Sequence, residues 1–407
     1  IASYLNVPVI AEGVENENQL RLLKNAGCQM VRVAVPDEQA ADGLKRICAE
    51  SPVPLIADIH FNHRLALMAM DNGISSLRIN PGNIGGEANV RTLADCLKAH
   101  RIPVRIGVNS GSTEKEIIAK YGGPTPQGMV ESALNHARML ERCGFYDMVL
   151  SMKASNVPDT VKAYRLASEQ CDYPLHLGVT EAGLPEQGKI KSAIGIGALL
   201  AQGIGNTIRV SLSEAPEKEL PVAKDLVDYF ANEQQSIRYA PTTQVKVEGN
   251  TVYYSNEDTD WATFQLHAAA ECGRLLWDYN CTELVLNNEH FAAEDLLRLS
   301  KDILQAARVR MYKTEYISCP GCGRTLFDLE QTIAEVKAAT AHLQGLKIGI
   351  MGCIVNGPGE MADADYGYVG AGRGKVSLYK GKECVLKNIP QEEAVEQLLA
   401  LIEKDRS

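Results

Sequence analysis

From residue 6 to about 212, short apolar runs alternate with stretches whose apolar positions recur at helical spacing. Eight of the runs read as strands: VPVIAEG (7–13), MVRVAV (30–35), PLIADIH (54–60), SLRINPG (76–82), PVRIGVN (103–109), MVLSMKAS (148–155), PLHLGVTEAG (174–183) and TIRVSL (207–212). Amphipathic stretches lie between them, among them 18–26, 38–49 and 156–170. Eight β–α units in succession predict an α/β fold, a (β/α)8 barrel of TIM type over residues 1–235, with a doubly wound open sheet as the alternative.

Residues 213–235 read as the helix that closes this unit. Residues 236–312 read as an insert or linker, with a hairpin in TTQVKVEGNTVYYSN and helical stretches at 266–279 and 293–308, and no chemical motif. From residue 313 Gly and Cys rise. Strand, helix (326–343), strand (KIGIMG), Gly-rich stretch, hairpin (KVSLYKGKECVL) and a last helix (391–403) follow. This is a second, smaller α+β domain, 313–407.

Within the barrel strands, polar residues recur at even spacing, two or four: Asp58 and His60, Arg78 and Asn80, Arg105 and Asn109, Ser151 and Lys153, His176 and Thr180, Arg209 and Ser211. Side chains alternate faces along a strand, so each pair points one way. Alternate positions (Ile56, Ile59, Leu77, Ile79, Val104, Ile106, Val210, Leu212) suit packing under helices. The polar set then faces the axis near the C-terminal mouth, where barrel enzymes place their chemistry. Arg32, Arg78, Arg105, Lys153 and Arg209 would repel one another there unless an anion neutralised them. Arginine forks match phosphate oxygens, which predicts a di- or polyphosphate ligand. Asp58, His60, His176 and Glu181 are candidates for hydrogen bonding and proton transfer to its remainder.

Composition narrows the class without choosing the chemistry. Apolar content of 45% and charged content of 23% are ordinary for a soluble globular protein. A net charge of -10 argues against non-specific nucleic-acid binding. No apolar run is long enough to span a bilayer and no leader is visible, which predicts a cytoplasmic protein, or a plastid-stroma one in a eukaryote. The chain starts at Ile1, so an upstream segment is expected.

Of 11 cysteines, Cys28, Cys48, Cys96, Cys143, Cys171 and Cys272 sit in apolar patterns and read as buried small hydrophobes in a reducing compartment. Cys319 and Cys322, in SCPGCGRT, and Cys353, in MGCIVNGPGE, differ. Two thiolates in a Gly/Pro turn can grip a metal centre and a third can close it. Three thiolates leave one iron of a cubane cluster open to substrate or to Glu360. Structural zinc, with Cys384 as fourth ligand, is the competing reading.

The runs ADIHFNHRLAL, LRINPGNIGG, VRIGVNSGS, LHLGVTEAG, GIGNTIRVSL, SCPGCGRTLFDL and MGCIVNGPGE resemble the 4-hydroxy-3-methylbut-2-enyl diphosphate synthase family of the non-mevalonate isoprenoid pathway. CGRTLFDL and EMADADYGYVG are similar to its longer plant and Bacteroidetes-like form. The resemblance implies a sulfite-reductase-like cluster domain and a 4Fe–4S cluster on Cys319, Cys322 and Cys353, with Glu360 on the fourth iron. It implies Asn356 beside the substrate, ferredoxin or flavodoxin as electron donor, and a head-to-tail homodimer in which each cluster domain caps the other chain's barrel. It also implies the reaction, reductive ring opening and dehydration of 2-C-methyl-D-erythritol 2,4-cyclodiphosphate.

Two departures stand out. Residues 240–312 are short for the extra domain of the longer form and read as a remnant of it. The opening VPVIAEGVENENQLRLLKNAGC instead resembles part of an EAL-type cyclic-dinucleotide phosphodiesterase around Glu12, and replaces the family's usual first loop. A catalytically impaired homologue, a metal-dependent phosphodiesterase and a zinc-binding structural protein are the rival readings.

Overall fold

The computed structural model describes residues 9–11, 17–25, 27–59, 62–80, 84–180, 185–212, 216–234, 243–319, 325–354, 357–361 and 363–406. Six parallel strands run in chain order: β1 (Ile10–Ala11), β2 (Met30–Ala34), β3 (Leu55–Asp58), β4 (Ser76–Ile79), β5 (Val104–Asn109) and β6 (Met148–Lys153). β7 (His176–Leu177) and β8 (Thr207–Ile208) form a parallel pair. Single parallel bridges from Leu150 to Leu175 and from Val9 to Ile208 join the two sheets. The ring therefore closes, and the open-sheet alternative falls. The atypical opening supplies a regular first β–α unit, with the Gln29 side chain accepting from the Val9 amide at 2.9 Å.

The helices are α1 (Glu17–Asn25), α2 (Glu38–Glu50), α3 (His63–Asp71), α4 (Glu87–His100), α5 (Lys115–Tyr121), α6 (Pro126–Glu141), α7 (Val157–Gln170), α8 (Pro185–Leu200) and α9 (Glu219–Gln234). Local chemistry sets several starts. Asp37 caps α2 by accepting from the Ala40 amide, and Thr125 caps α6 just before Pro126. Val31, Leu77, Ile79, Ile106 and Leu150 point outward and are buried under these helices. Each such side chain contributes roughly 1.5–3 kcal/mol by leaving water. Ile56 departs from expectation: it shares the parity of Asp58, pairs with Arg32, and lies on the inner face.

Residues 244–306 are more than a linker. β9 (Gln244–Glu248) and β10 (Thr251–Ser255) form the expected hairpin, α10 (Trp261–Asp278) follows, and β11 (Glu283–Asn287) returns parallel to β10 before α11 (Ala293–Ala306). β11 had no counterpart in the sequence reading. α10 lies so close to α8 that a Cβ at Gly273 would be 2.4 Å from Ile194 Cγ2, and one at Gly197 2.7 Å from Ala270 Cβ. The module thus shares one continuous core with the barrel.

The C-terminal domain has its own core, centred on Tyr316, Ile348, Ile350, Tyr368 and Leu378. Its sheet runs β12 (Glu315–Ser318), β13 (Lys347–Met351), β14 (Tyr366–Gly372), β15 (Lys375–Lys380) and β16 (Glu383–Pro390). β12, β13 and β14 are parallel, and the last two strands are antiparallel to their neighbours. Helices α12 (Leu329–Thr340) and α14 (Gln391–Arg406) flank it, with a single turn, α13 (Gly357–Glu360), after β13. Among the described residues no helix is long and apolar enough to cross a membrane. The ten described cysteines are all free, but only Cys28, Cys272 and Cys281 are fully buried; Cys48, Cys96, Cys143 and Cys171 are half-buried.

Candidate active site

The strand register places Asp58 beside Arg78, Arg78 beside Arg105, and Asn109 beside Lys153, all on the inner face. Arg105, Lys153 and Arg209 are buried, as are Asn80, Ser151 and Ser211. Asp58 answers two of the five cations: its Oδ1 lies 3.3 Å from Arg78 Nη1 and its Oδ2 lies 3.7 Å from Arg32 Nη2. Both oxygens are engaged by guanidinium groups, which suits an anchor for the cations better than a proton carrier.

Room for these long side chains comes from glycines. A Cβ at Gly107 would stand 2.6 Å from Arg78 Nε, and one at Gly178 would stand 2.9 Å from Lys153 Nζ. In IGVN and LGVT a glycine interrupts an apolar alternation, the mark of close approach inside a strand. That interruption is legible in the sequence itself.

His176 is wholly buried. Its Nδ1 lies 2.7 Å from Thr207 Oγ1, and its Nε2 has no hydrogen-bond partner among the described residues. Burial first, then Arg105, Lys153, Arg32 and Arg209, hold its pKa well below the ordinary value. The same four cations therefore act on one imidazole and, with burial, favour its neutral form. An imidazolium there would face four positive charges. Tyr164 was also missed. Its hydroxyl donates to the His176 carbonyl and accepts from the Met152 amide, tying β6 to β7 beneath the site. Burial pushes its phenol up to about 12.

In the C-terminal domain, Cys319 and Cys353 follow the ends of adjacent parallel strands, β12 and β13. The Gly352 amide donates to Cys319 Sγ at 3.3 Å, an arrangement that stabilises a thiolate. Cys384 lies at the start of β16, four strands from β12 and at the opposite end of the sheet. At about 4.8 Å per strand this is far beyond one tetrahedral site, which removes the zinc set that included Cys384. Glu12, His60, Glu181, Cys322 and Asn356 lie outside the described residues, as does the Glu360 side chain.

The two halves meet within one chain. A Cβ at Gly359 would lie 2.4 Å from the carbonyl oxygen of Gly111, in the short 3-10 turn Ser110–Ser112 that follows β5 at the barrel mouth. Lys191 of α8 and Glu315 of β12 form a buried ion pair at 2.6 Å. The resemblance implies a cap supplied by a partner chain; here the chain caps its own barrel.

Residues 10–224 match the GcpE TIM-barrel domain, and residues 315–404 match the GcpE protein C-terminal domain. The chain belongs to the GcpE family. The flavodoxin-type 4-hydroxy-3-methylbut-2-en-1-yl diphosphate synthase of Caldanaerobacter subterraneus subsp. tengcongensis is 40% identical to it over 409 residues, covering 98% of this chain and 93% of the relative. The synthase of the same name from Lawsonia intracellularis is 41% identical, over 93% of this chain and 86% of the relative. That of Parabacteroides distasonis is 36% identical over 581 aligned residues, covering 100% of this chain and 95% of the relative. The last alignment is much longer than the chain, so that GcpE relative carries residues with no counterpart here. This accords with reading the β9–α11 module as a shortened form of a larger domain. The GcpE barrel match includes β1, so the phosphodiesterase reading of the opening segment falls.

Proposed function

We propose that this chain is a 4-hydroxy-3-methylbut-2-enyl diphosphate synthase, which opens the ring of 2-C-methyl-D-erythritol 2,4-cyclodiphosphate and removes water with two electrons. The observation that supports this most is the convergence of Arg32, Arg105, Lys153 and Arg209 around His176, at the end of the barrel on which the cysteine-bearing domain rests. A 4Fe–4S cluster on Cys319, Cys322 and Cys353 would supply the electrons, and Glu360 would take the fourth iron in the resting state. The donor set fits: Cys319 and Cys353 stand at neighbouring strand ends, and an amide already points at one sulfur.

The chain's own groups bind and orient. Arg32, Arg78, Arg105, Lys153 and Arg209 hold the diphosphate oxygens, while Asp58 keeps the two guanidinium groups it touches in place. Asn80, Asn109, Ser151, Ser211 and Asn356 hydrogen-bond the remainder. His60, Glu181 and Glu360 are the groups proposed to move protons, and His176, favoured in its neutral form, to hydrogen-bond the ligand. Flavodoxin is the donor named for the relatives, and we extend it to this chain, with ferredoxin as the substitute. A cytoplasmic location and a homodimer belong to the same proposal. The dimer is not needed to complete a barrel that is capped in cis.

The test is anaerobic purification with iron and sulfide analysis. Replacing Cys319, Cys322 or Cys353 by Ser should abolish the brown chromophore, and replacing Cys384 should leave it. Stoichiometric zinc without sulfide would refute the reading.

A further inference from the structure

The contact between Gly359 and Gly111 is a backbone-on-backbone contact. A Cβ at Gly359 would meet the Gly111 carbonyl oxygen at 2.4 Å, its Cα at 2.9 Å and its carbonyl carbon at 3.0 Å. Real Cβ atoms do not come within 3.0 Å of such atoms. The obstacle is main chain, so no rotamer change relieves it.

Both sides of the contact are braced. On the barrel side, Glu114 lies two residues after the 3-10 turn, and its two oxygens are held at 2.6 Å by His136 Nε2 and at 2.6 Å by Ser132 Oγ, both on α6. Thr113 Oγ1 also donates to the Asn109 carbonyl at 3.4 Å. On the other side, Met361 is wholly buried beneath the turn. A Cβ at Gly349 would be 2.7 Å from Met361 Cβ, and one at Gly367 would be 2.3 Å from its sulfur. A Cβ at Gly357 would be 2.7 Å from Met351 Cβ. The turn is locked into its own sheet as firmly as the barrel loop is locked onto α6.

We propose that Gly359 is a positioning residue: its bare Cα, seated on Gly111, sets the gap between the turn that carries Glu360 and the barrel loop that follows Asn109. The inference rests on the reading that substrate lies at the barrel mouth and the cluster on the cysteines. A methyl group at Gly359 must push one half away from the other by roughly 1 Å, a misplacement that can cost on the order of a hundredfold in rate. No other residue type fits the seat.

Gly359→Ala tests this. Gly372→Ala in the same domain, with its nearest neighbour at 3.9 Å, and Gly123→Ala in the barrel, with nothing within 4 Å, serve as controls. The expected result is full iron and sulfide content and an unchanged visible spectrum, with kcat down on the order of a hundredfold and KM moving far less. Amide hydrogen exchange across residues 110–113 should quicken, in protein with or without cluster, because the seat no longer covers them. Wild-type kcat in Gly359→Ala would overturn the proposal. So would loss of the cluster together with activity, which would make Gly359 a folding residue, and so would an equal defect in the controls. A wild-type protein lacking iron and sulfide would instead refute the underlying functional reading, and the exchange measurement would still judge the seat.

Discussion

Lys191 and Glu315 form an ion pair of 2.6 Å in which the two side chains are 4% and 1% exposed. It ties a barrel helix to the first strand of the C-terminal domain. Arg308 adds a second cation to Glu315 at 3.2 Å and bridges to Asp363 at 2.6 Å, so the domain boundary is a charge network buried at Glu315 and Lys191 and reaching the surface at Asp363. Removing one partner of such a pair strands a buried charge, at about 3–5 kcal/mol. Glu315→Gln, which removes the carboxylate that both cations share, should destabilise by that amount in chemical denaturation. Lys191→Met should cost less, because Arg308 still answers Glu315. Equal effects from the two substitutions would contradict this account.

The cis contact reverses an outcome expected of a head-to-tail dimer. Arg105→Ala and Cys353→Ser each disable one half of the site. With each barrel capped by its own C-terminal domain, a mixture of the two variants should show no recovered turnover, even after subunit exchange is demonstrated by mass. Recovery in the mixed sample would place the cap on a partner chain.

His267 gives the enzyme an alkaline limit. Burial lowers its proton affinity, but Asp225, 3.4 Å away, and Asp258, 2.9 Å away, more than offset this, and its pKa rises to about 9 from 6.5. Tyr229 stacks on the ring at 4.0 Å. A raised folded-state pKa means the contribution is complete below pH 6.5 and disappears as pH rises through about 9. The size is roughly 3 kcal/mol. Stability measured from pH 6 to 10 should fall across that window in the wild type and stay flatter in His267→Gln.

Glu114 sets a limit at the acid end. Burial alone would raise its pKa, yet hydrogen bonds from His136 and Ser132 bring it down from 4.5 to about 2. Its contribution is present above pH 4.5 and is lost as pH falls toward 2. Glu114→Gln should therefore lose stability at neutral pH and converge with the wild type in acid. A constant difference across the range would show that ionisation is irrelevant there.

Gly107→Ala separates binding from folding. The methyl group would collide with the guanidinium of Arg78, the far end of a flexible side chain, so the chain can yield without unfolding. Arg78 would then leave its place beside Asp58. Losing one charge-assisted contact is worth about 1.5–3 kcal/mol, so affinity for the cyclic diphosphate should fall about tenfold or more while Tm stays near wild type. Unchanged affinity would mean that Arg78 does not touch the ligand.

The barrel and the cation layer were legible because period-two alternation is a local signal, and Arg78, Arg105, Lys153 and Arg209 broke it at matching positions. The C-terminal sheet was legible for the same reason. β11 was not, because ELVLN is five residues long between two helices and draws its partner from β10, some thirty residues earlier. The lowered proton affinity of His176 could not be read either, since it depends on burial and on four cations from distant parts of the chain acting on one ring. Lys191 and Glu315 are 124 residues apart, and nothing local marks either as a partner.

The ring of strands is uneven, and that sets the order in which it comes apart. Among the described residues, β5 and β6 pair over six positions, whereas β7 and β8 pair over two and single bridges link Leu150 to Leu175 and Val9 to Ile208. The barrel is a stout arc fastened by a light clasp, and His176 and Arg209 sit in the clasp. Local opening costs least where the fewest backbone bonds must break. The anion pocket should therefore lose its shape well before β2 to β6 lose theirs, and a bound diphosphate, by bridging Arg209 to Arg78 and Arg105, would fasten the clasp to the arc. The substrate then serves as a structural rivet, and the thermal resistance of the whole barrel becomes a readout of how full the site is.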